Sequence, residues 1–273
     1  MLPRADQTEQ NTGVFSIFRG NLALGVATLL SLSPDPQGLF RQTQAVYELL
    51  RATKLRNSDY LVLAAYQIAA QTEPAHYPYV VDRTRAFYDG MRAHRLLQTG
   101  QDDYIFAAML GLSGLDPVTG SHRIDRVFDR LRSDFRDKNS VQTMAQVLVL
   151  GGTDDIAITR IIALRDALRG RKVKLDKTFT LPSLGILALL PVDPGVIAGE
   201  IDQAQTFLRA QKGFGPLSVT TQELLLYATA VVADDYSRTI DAGVLTATIS
   251  TSITTIIIAQ QTATIAATGA AVR

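Results

Sequence analysis

Two kinds of segment alternate along the chain, and they differ in how their apolar residues are placed. Segments such as 22–32 and 184–190 contain almost only apolar or small residues. A helix that is apolar all round is buried on most of its sides. Residues 124–135 instead place their apolar side chains at helical spacings of three and four, with Asp and Arg between them: Ile124, Val127, Phe128, Leu131 and Phe135. The pattern predicts a buried inner helix and an amphipathic outer helix, repeated along the chain.

An acidic turn joins each apolar segment to the amphipathic segment after it. The turn recurs at intervals of 38, 43, 38, 39 and 41 residues: Asp35-Pro36, Glu73-Pro74, Asp116-Pro117, Asp154-Asp155, Asp193-Pro194 and Asp234-Asp235. Each carboxylate is expected to accept hydrogen bonds from free amides at the start of the next helix. Proline, where it is present, follows at a position where a missing N–H costs nothing.

An apolar residue followed by arginine is a second landmark with the same period. It recurs at intervals of 41, 40, 37 and 40 residues: Leu50-Arg51, Met91-Arg92, Leu131-Arg132, Leu168-Arg169 and Leu208-Arg209. A period of about forty residues is typical of helical solenoid repeats of the HEAT kind. Alternating apolar and polar positions are scarce before residue 240, which argues against β-strands over 14–238. We therefore predict an all-α fold, a short α-solenoid or HEAT-like array of about six helical hairpins.

Residues 242–272 contain no charged residue and are rich in Thr, Ile and Ala. A membrane tail anchor is disfavoured by Gln260, Gln261 and the threonines, because each polar group costs insertion energy. A β-hairpin suits the Thr and Ile content, but no turn signal divides the segment. The favoured interpretation is an uncharged C-terminal capping helix over about 242–270, because the last repeat of an array leaves an apolar face to be covered.

The running pattern resembles an uncharacterised bacterial family catalogued as domain of unknown function number four thousand and three. The resemblance rests on diffuse motifs that extend over nearly the whole chain: Leu29-Leu30-Ser31-Leu32, Asp116-Pro117 with Leu131-Arg132, Leu187-Ala188-Leu189-Leu190 and the tail around Ile258-Ala259-Gln260-Gln261. It implies a bacterial, all-helical protein. The resemblance implies no activity and identifies no site residues.

Composition and charge narrow the classes of partner. Lys plus Arg total 27 against 26 for Asp plus Glu, so the net charge is +1, and neither nucleic acid nor a membrane is expected as a partner. The absence of cysteine removes thiolate nucleophiles and disulfides. Residues 1–13 lack the cationic start and apolar stretch of a signal peptide. We therefore expect a flexible N-terminal tail over 1–13, a single helical-repeat domain over 14–273, and a cytoplasmic protein.

Residues with catalytic or metal-binding potential are better explained by structural roles. Gly111-Leu112-Ser113-Gly114 approaches a nucleophile elbow, but its second glycine comes one position early and no strand precedes it. Gly213-Phe214-Gly215-Pro216 lacks the third glycine of a phosphate-binding loop. Glu73 and His76 have the spacing of a di-iron motif, but that chemistry needs further glutamates from other helices. Capping explains the aspartate pairs, which fall at predicted helix starts: 102–103, 154–155 and 234–235. We predict no catalytic residue, no metal and no cofactor.

The repeated arginines are the candidate binding residues: Arg51, Arg92, Arg132, Arg169 and Arg209. Stacked repeats would align them into a ladder, and closely spaced arginines need carboxylates or helix-end carbonyls between them. The favoured interpretation is that they tie adjacent hairpins together. The functional alternative is a stripe that binds anions or an acidic peptide. The densest basic region, 165–177, also contains Asp166 and Asp176, which is typical of a solvated outer face.

Three hypotheses for function remain open. A non-enzymatic protein-interaction scaffold, with a protein as partner, is favoured because repeat arrays make extended binding surfaces and no catalytic set is assembled. The alternative is a small-molecule or lipid-binding helical protein with an apolar cavity between its inner helices. The least favoured is a metal-dependent enzyme whose aspartates gather only in three dimensions. The sequence leaves the partner and the oligomeric state open.

Overall fold

The computed structural model is all-helical over the residues that it describes, which are residue 26 and residues 29–152, 154–178 and 180–239. This part of the chain contains no strand, so the prediction of an all-α protein is confirmed. A 3-10 turn covers Pro74–His76. The α-helices are α1 (Pro36–Ala52), α2 (Asp59–Gln71), α3 (Tyr77–His94), α4 (Asp103–Leu112), α5 (Pro117–Leu131), α6 (Lys138–Leu150), α7 (Asp154–Gly170), α8 (Leu181–Leu189), α9 (Pro194–Arg209) and α10 (Thr221–Thr239).

Two predicted segments lie outside the described residues. They are the N-terminal tail over 1–13 and the uncharged C-terminal helix over about 242–270. The apolar segment 22–32 is described only in part, with Val26, Leu29 and Leu30 helical and buried.

The described residues form two compact units that divide between Ser121 and His122, within α5. In the first unit, α1 packs along α2 and α3 along α4, while α2 also contacts α4 and α1 contacts α3. In the second unit, α7 packs on α8 and α9 on α10, while α6 contacts α8 and α7 contacts α9. In both units, therefore, amphipathic helices contact amphipathic helices and apolar helices contact apolar helices. The prediction of a single domain over 14–273 stays a prediction.

The amphipathic helices α1, α3 and α9 each pack chiefly on the apolar helix that follows in sequence, whereas α7 contacts α9 somewhat more than it contacts α8. The apolar helix before the acidic turn makes much smaller contact with the next amphipathic helix, as α2 does with α3. The sequence pattern predicts one hairpin from an apolar helix and the amphipathic helix after it. The structural hairpin instead begins with the amphipathic helix, whose apolar stripe faces the apolar helix that comes next.

The apolar helices form the core of each unit. In α4 every residue from Asp103 to Gly111 is buried, and in α8 every residue from Leu181 to Leu189 is buried. Amphipathic helices contribute one stripe each, and in α5 the residues Ile124, Val127 and Leu131 are fully buried. Complete burial of such a side chain stabilises the fold by about 1.5–3 kcal/mol. The predicted division into buried and half-buried helices is confirmed.

Aspartates cap the amphipathic helices at three of the predicted acidic turns. Asp35 Oδ1 accepts from the Gly38 amide at 2.9 Å, and Asp116 Oδ1 accepts from the Thr119 amide at 2.9 Å. At the third turn, Asp193 Oδ1 accepts from the amides of Gly195 and Val196. Proline follows each of these aspartates, at the first position of the helix, where its missing N–H leaves no bond unmade.

The acidic turns at Glu73 and Asp234-Asp235 differ from the prediction. Glu73 makes no side-chain capping bond, since Pro74–His76 forms a 3-10 turn before α3 begins. Asp234 and Asp235 lie inside α10, which continues to Thr239, so they do not mark a helix start. No proline or glycine occurs in the seven residues after this pair, and an acidic pair alone does not end a helix.

Arginine side chains close two of the hairpins in the same way. From α3, Arg83 donates Nε to the Gly111 carbonyl at 2.8 Å and Nη2 to the carbonyls of Ser113 and Leu115 at 2.8 and 2.5 Å. The acceptors lie 28, 30 and 32 residues further along the chain, at the end of α4 and just beyond it. The last carbonyls of a helix have no intrahelical partner, and one guanidinium satisfies the Gly111 carbonyl in α4 and two carbonyls in the turn after it.

The second arginine, Arg160 in α7, repeats this arrangement. It donates Nε to the Ala188 carbonyl at 3.0 Å and Nη2 to the carbonyls of Leu190 and Val192. The sequence separations are again 28, 30 and 32. Each unit therefore contains a hairpin with the same closing contacts, and we refer to Arg83 and Arg160 as the hairpin clamps.

Candidate functional site

The predicted arginines lie at or near the C-terminal ends of the amphipathic helices. Arg51, Arg92, Arg169 and Arg209 are in the last turns of α1, α3, α7 and α9, and Arg132 directly follows α5. Cations are favourable there because the helix dipole is negative at this end. One such arginine per amphipathic helix agrees with the predicted period.

Local partners hold four of these arginines. Arg51 pairs with Glu48 at 3.7 Å, Arg132 pairs with Asp129 at 3.3 Å, and Arg92 donates to the Tyr88 hydroxyl at 3.3 Å. Arg169 pairs with Asp176, seven residues along the chain. None of these contacts joins two hairpins, and exposed pairs of this kind contribute about 0–1 kcal/mol. The hairpin clamps bind helix-end carbonyls within one hairpin, so a tie between adjacent hairpins through the repeated arginines stays a prediction.

Arg209 differs from the other four because its contacts are with backbone carbonyls. Its Nη1 donates to the carbonyls of Phe214 and Val219, both at 2.8 Å. These bonds fix the loop between α9 and α10, in which Gly213 has a positive φ of 91°. The loop ends in a capping box, where Thr220 and Glu223 exchange hydrogen bonds at the start of α10, as the Thr-x-x-Glu pattern favours.

An open groove of about 420 Å³ lies where α9 ends and α10 begins. It is lined by Gln205, Thr206, Arg209, Ala210, Thr221 and Leu224. The lining therefore combines a guanidinium, an amide and two hydroxyls with two small or aliphatic side chains. We call it the Arg209 groove.

A second feature was missed by the sequence analysis. One large apolar side chain is exposed in the first turn of four amphipathic helices: Tyr79 (63%), Val118 (66%), Ile156 (71%) and Val196 (49%). We call these the first-turn residues. Their intervals of 39, 38 and 40 residues match the repeat, and this spacing is the signal that could have found them. Tyr79 and Val118 belong to the first unit, and Ile156 and Val196 belong to the second.

An exposed carboxylate precedes every first-turn residue. Glu73, Asp116, Asp155 and Asp193 are all exposed and lie between one and six positions before the apolar side chain. At Asp116, the hydrogen bond from the Thr119 amide lowers the pKa of the carboxyl group. That carboxyl is therefore ionised at neutral pH, and each first-turn residue follows an acidic residue within six positions of the sequence.

Comparison with known proteins assigns the chain to a family. A family model described as "Protein of unknown function (DUF4003)" matches residues 4–262. The chain belongs to this family. No curated protein and no solved structure matched the chain. The description of DUF4003 names no activity.

The residues of this DUF4003 member that were weighed for catalysis occupy structural positions. Ser113 follows α4 and donates its hydroxyl to the Leu110 carbonyl at 2.6 Å. Asp103 accepts from the Gly100 amide at 2.8 Å and is buried at the start of α4. Glu73 and His76 flank an exposed 3-10 turn. Ser113 and Asp103 thus bond to backbone groups next to the two ends of α4, whereas Glu73 and His76 make no side-chain capping bond.

Carboxylates pair with the three arginines of the basic region over 165–177. Arg165 contacts Asp166 at 2.8 Å and Asp134 at 3.5 Å, and its guanidinium lies over the Phe135 ring. The hydrogen bond from Arg165 lowers the pKa of Asp166.

Among the residues that the structure describes, no helix has both the length and the apolar character needed to span a membrane.

Proposed function

We propose that this DUF4003 member is a non-enzymatic protein-interaction scaffold. Its first-turn residues bind a segment of a partner protein that carries apolar and basic side chains. The observation that supports this function is the exposed apolar side chain that recurs at the same turn of successive amphipathic helices, each with a carboxylate beside it. A single exposed apolar residue has no special meaning, but its recurrence with the period of the repeat favours a shared role.

We further propose that the helices are arranged as a solenoid of the HEAT kind. Two observations support this arrangement: like helices contact like helices in both units, and the hairpin clamps use the same sequence separations. Neighbouring repeats of such an array present equivalent residues along one extended surface. Tyr79 and Val118 would then bind consecutive apolar side chains of the partner, as would Ile156 and Val196.

The carboxylates beside the first-turn residues favour a partner with basic side chains. Opposite charges at the rim of an interface accelerate association and select against partners of like charge. The repeated arginines lie at the other ends of the amphipathic helices, although in α3 the guanidinium of Arg83 lies 5.5 Å from the centre of the Tyr79 ring. A lysine- or arginine-containing apolar segment therefore complements both features of this surface.

Binding of labelled peptides to the full chain, followed by fluorescence anisotropy, tests the proposed function. The first peptide contains leucines and lysines, the second replaces lysine by glutamate, and the third replaces leucine by serine. We expect the leucine–lysine peptide to bind at least about tenfold more tightly than either of the others. Equal binding of the leucine–lysine and leucine–glutamate peptides would contradict the proposal.

Substitutions in the second unit locate the binding surface. The double variant Ile156→Ser with Val196→Ser removes two exposed apolar side chains, and we expect about tenfold weaker binding of the leucine–lysine peptide. Val231→Ser is the matched control, because Val231 is 56% exposed but lies in α10. Equal affinities for the double variant and the control would rule out the first-turn residues as the surface.

A further inference from the structure

The Arg209 groove is separate from the first-turn residues, since it lies at the C-terminal end of α9 and the N-terminal start of α10. We propose that this groove binds a carboxylate, carried either by a small organic acid or by the C-terminus of a peptide. The proposal goes beyond the interaction surface described above and does not depend on it.

The guanidinium of Arg209 has donors that its structural role does not use. Only Nη1 holds the carbonyls of Phe214 and Val219, and Nε and Nη2 make no hydrogen bond with the described residues. Nε and Nη2 lie on the side of a guanidinium that can hold both oxygens of a carboxylate at once. Because the bonds to Phe214 and Val219 fix the planar group, little side-chain freedom is lost when a ligand binds.

The other lining residues add donors to the groove. Gln205 gives one amide hydrogen to Asp202 at 3.0 Å, and its amide group carries a second hydrogen. Thr221 contributes a hydroxyl and is the first residue of α10, where the helix dipole and the free amides favour an anion. Thr206, whose hydroxyl donates to the Asp202 carbonyl at 2.8 Å, also lines the groove, together with Ala210 and Leu224, which is 2% exposed.

The two carboxylates near the Arg209 groove interact with groups other than Arg209. Glu223 accepts from the Thr220 amide and hydroxyl at 2.7 and 2.8 Å, within the capping box of α10. Asp202 accepts from Gln205 and lies 3.8 Å from Arg171. Neither residue lines the groove. The lining therefore presents one cation and several neutral donors, which favours an anion with two acceptor oxygens.

Isothermal titration calorimetry on the full chain tests this site with three probes. The probes are succinate, a short peptide with a free C-terminal carboxylate, and the same peptide with a C-terminal amide. We expect the free-acid peptide to bind at least about tenfold more tightly than its amide. Tighter binding of succinate than of the free-acid peptide would identify a small acid as the source of the carboxylate, and the reverse would identify a peptide C-terminus. Equal binding of the acid and amide peptides, or no binding of any probe at millimolar concentration, would overturn the proposal.

A near-isosteric substitution assigns the binding to the groove. Gln205→Glu places a negative charge in the lining without removing the bonds from Arg209 to the loop, and we expect at least about tenfold weaker binding of the carboxylate probes. Gln203→Glu is the matched control, because it adds the same charge at an exposed position of α9 outside the lining. The same loss in both variants would show that the probes respond to overall charge and would overturn the assignment.

Discussion

Arg83 and Arg160 close their hairpins with the same hydrogen bonds. Each guanidinium reaches the carbonyls that lie 28, 30 and 32 residues further along the chain, where an apolar helix ends. The acidic residue that caps the next amphipathic helix follows immediately, as Asp116 or Asp193. One side chain thus stabilises both the end of an apolar helix and the turn after it. This turn leads into the next amphipathic helix and so positions its first-turn residue.

Removal of a hairpin clamp should destabilise the protein strongly. In Arg83→Met three helix-end carbonyls lose their charged donor, and we expect the free energy of unfolding to fall by about 3 kcal/mol. Arg160→Met should have an effect of similar size. Urea unfolding followed by circular dichroism measures both. Arg83→Lys should recover little of the loss, because an ammonium group cannot reproduce the fork of the guanidinium.

Arg132→Met provides the control for this prediction. Its side chain is 60% exposed and pairs only with Asp129, so the expected loss is below about 1 kcal/mol. Equal decreases in the free energy of unfolding for Arg83→Met and Arg132→Met would show that a hairpin clamp stabilises the protein no more than an exposed ion pair does.

Close contact between α3 and α4 depends on Gly111. A Cβ at this position would lie 2.6 Å from Thr84 Oγ1, 3.0 Å from the Thr84 amide nitrogen and 3.1 Å from the Val80 carbonyl oxygen. Because two of these atoms belong to the backbone, Gly111→Ala should lower the free energy of unfolding by about 1–3 kcal/mol. Gly114→Ala is the control, since its Cβ would have no neighbour within 4 Å. That variant should be neutral or slightly stabilised, and a stable Gly111→Ala protein would contradict the tight contact.

Tyr236 should titrate well above an ordinary tyrosine. Its hydroxyl donates to Glu200 Oε1 at 2.7 Å, and this hydrogen bond, followed by burial, raises the pKa of Tyr236 to about 12. Because the folded pKa is raised, the stabilisation is complete below pH 10, the usual tyrosine value, and is lost as the pH rises through 12. The absorbance of tyrosinate at high pH, compared with that of Tyr236→Phe, isolates this group. Glu200→Gln should lower the pKa, and an unchanged titration in that variant would exclude the hydrogen bond as the cause.

The cap at Asp116 should make stability depend on pH in the acid range. The Thr119 amide holds the pKa of Asp116 below its usual value, so its stabilisation is present above the ordinary carboxyl pKa of about 3.9 and is lost as the pH falls through the folded value. Asp116→Ala should therefore lower the melting temperature at neutral pH and have less effect at low pH. Asp116→Asn keeps an acceptor and should retain part of the stability at neutral pH. An effect of Asp116→Ala that does not change with pH would contradict the cap.

The helices could be predicted because their signals are local. The apolar run at 184–190 and the Asp-Pro turns at 35, 116 and 193 determine a buried helix or a helix start from adjacent residues. The hairpin partners could not be predicted this way. Arg83 and Arg160 find their acceptors about thirty residues away, and nothing in their neighbouring sequence separates them from Arg51 or Arg92.

The candidate surfaces were only partly predictable for the same reason. Arg209 was singled out by its period, but the groove beside it depends on how the loop after α9 folds back onto α10. Val118 and Ile156 follow acidic turns and could equally have been buried. Packing between repeats decides whether a neighbouring hairpin covers the first turn of a helix. The local pattern of apolar and polar residues carries no information about this packing.

Site-specific photo-crosslinking in the native host tests the interaction surface most directly. A benzophenone amino acid is placed at Val118 or Ile156 in the full chain, and at Val231 as the control, and the adducts are mapped by peptide sequencing. The proposed function predicts adducts at each first-turn position to a defined segment of a partner protein that contains apolar and basic residues, and no such adduct at Val231. Adducts of equal yield at all three positions, or none at Val118 and Ile156, would contradict it.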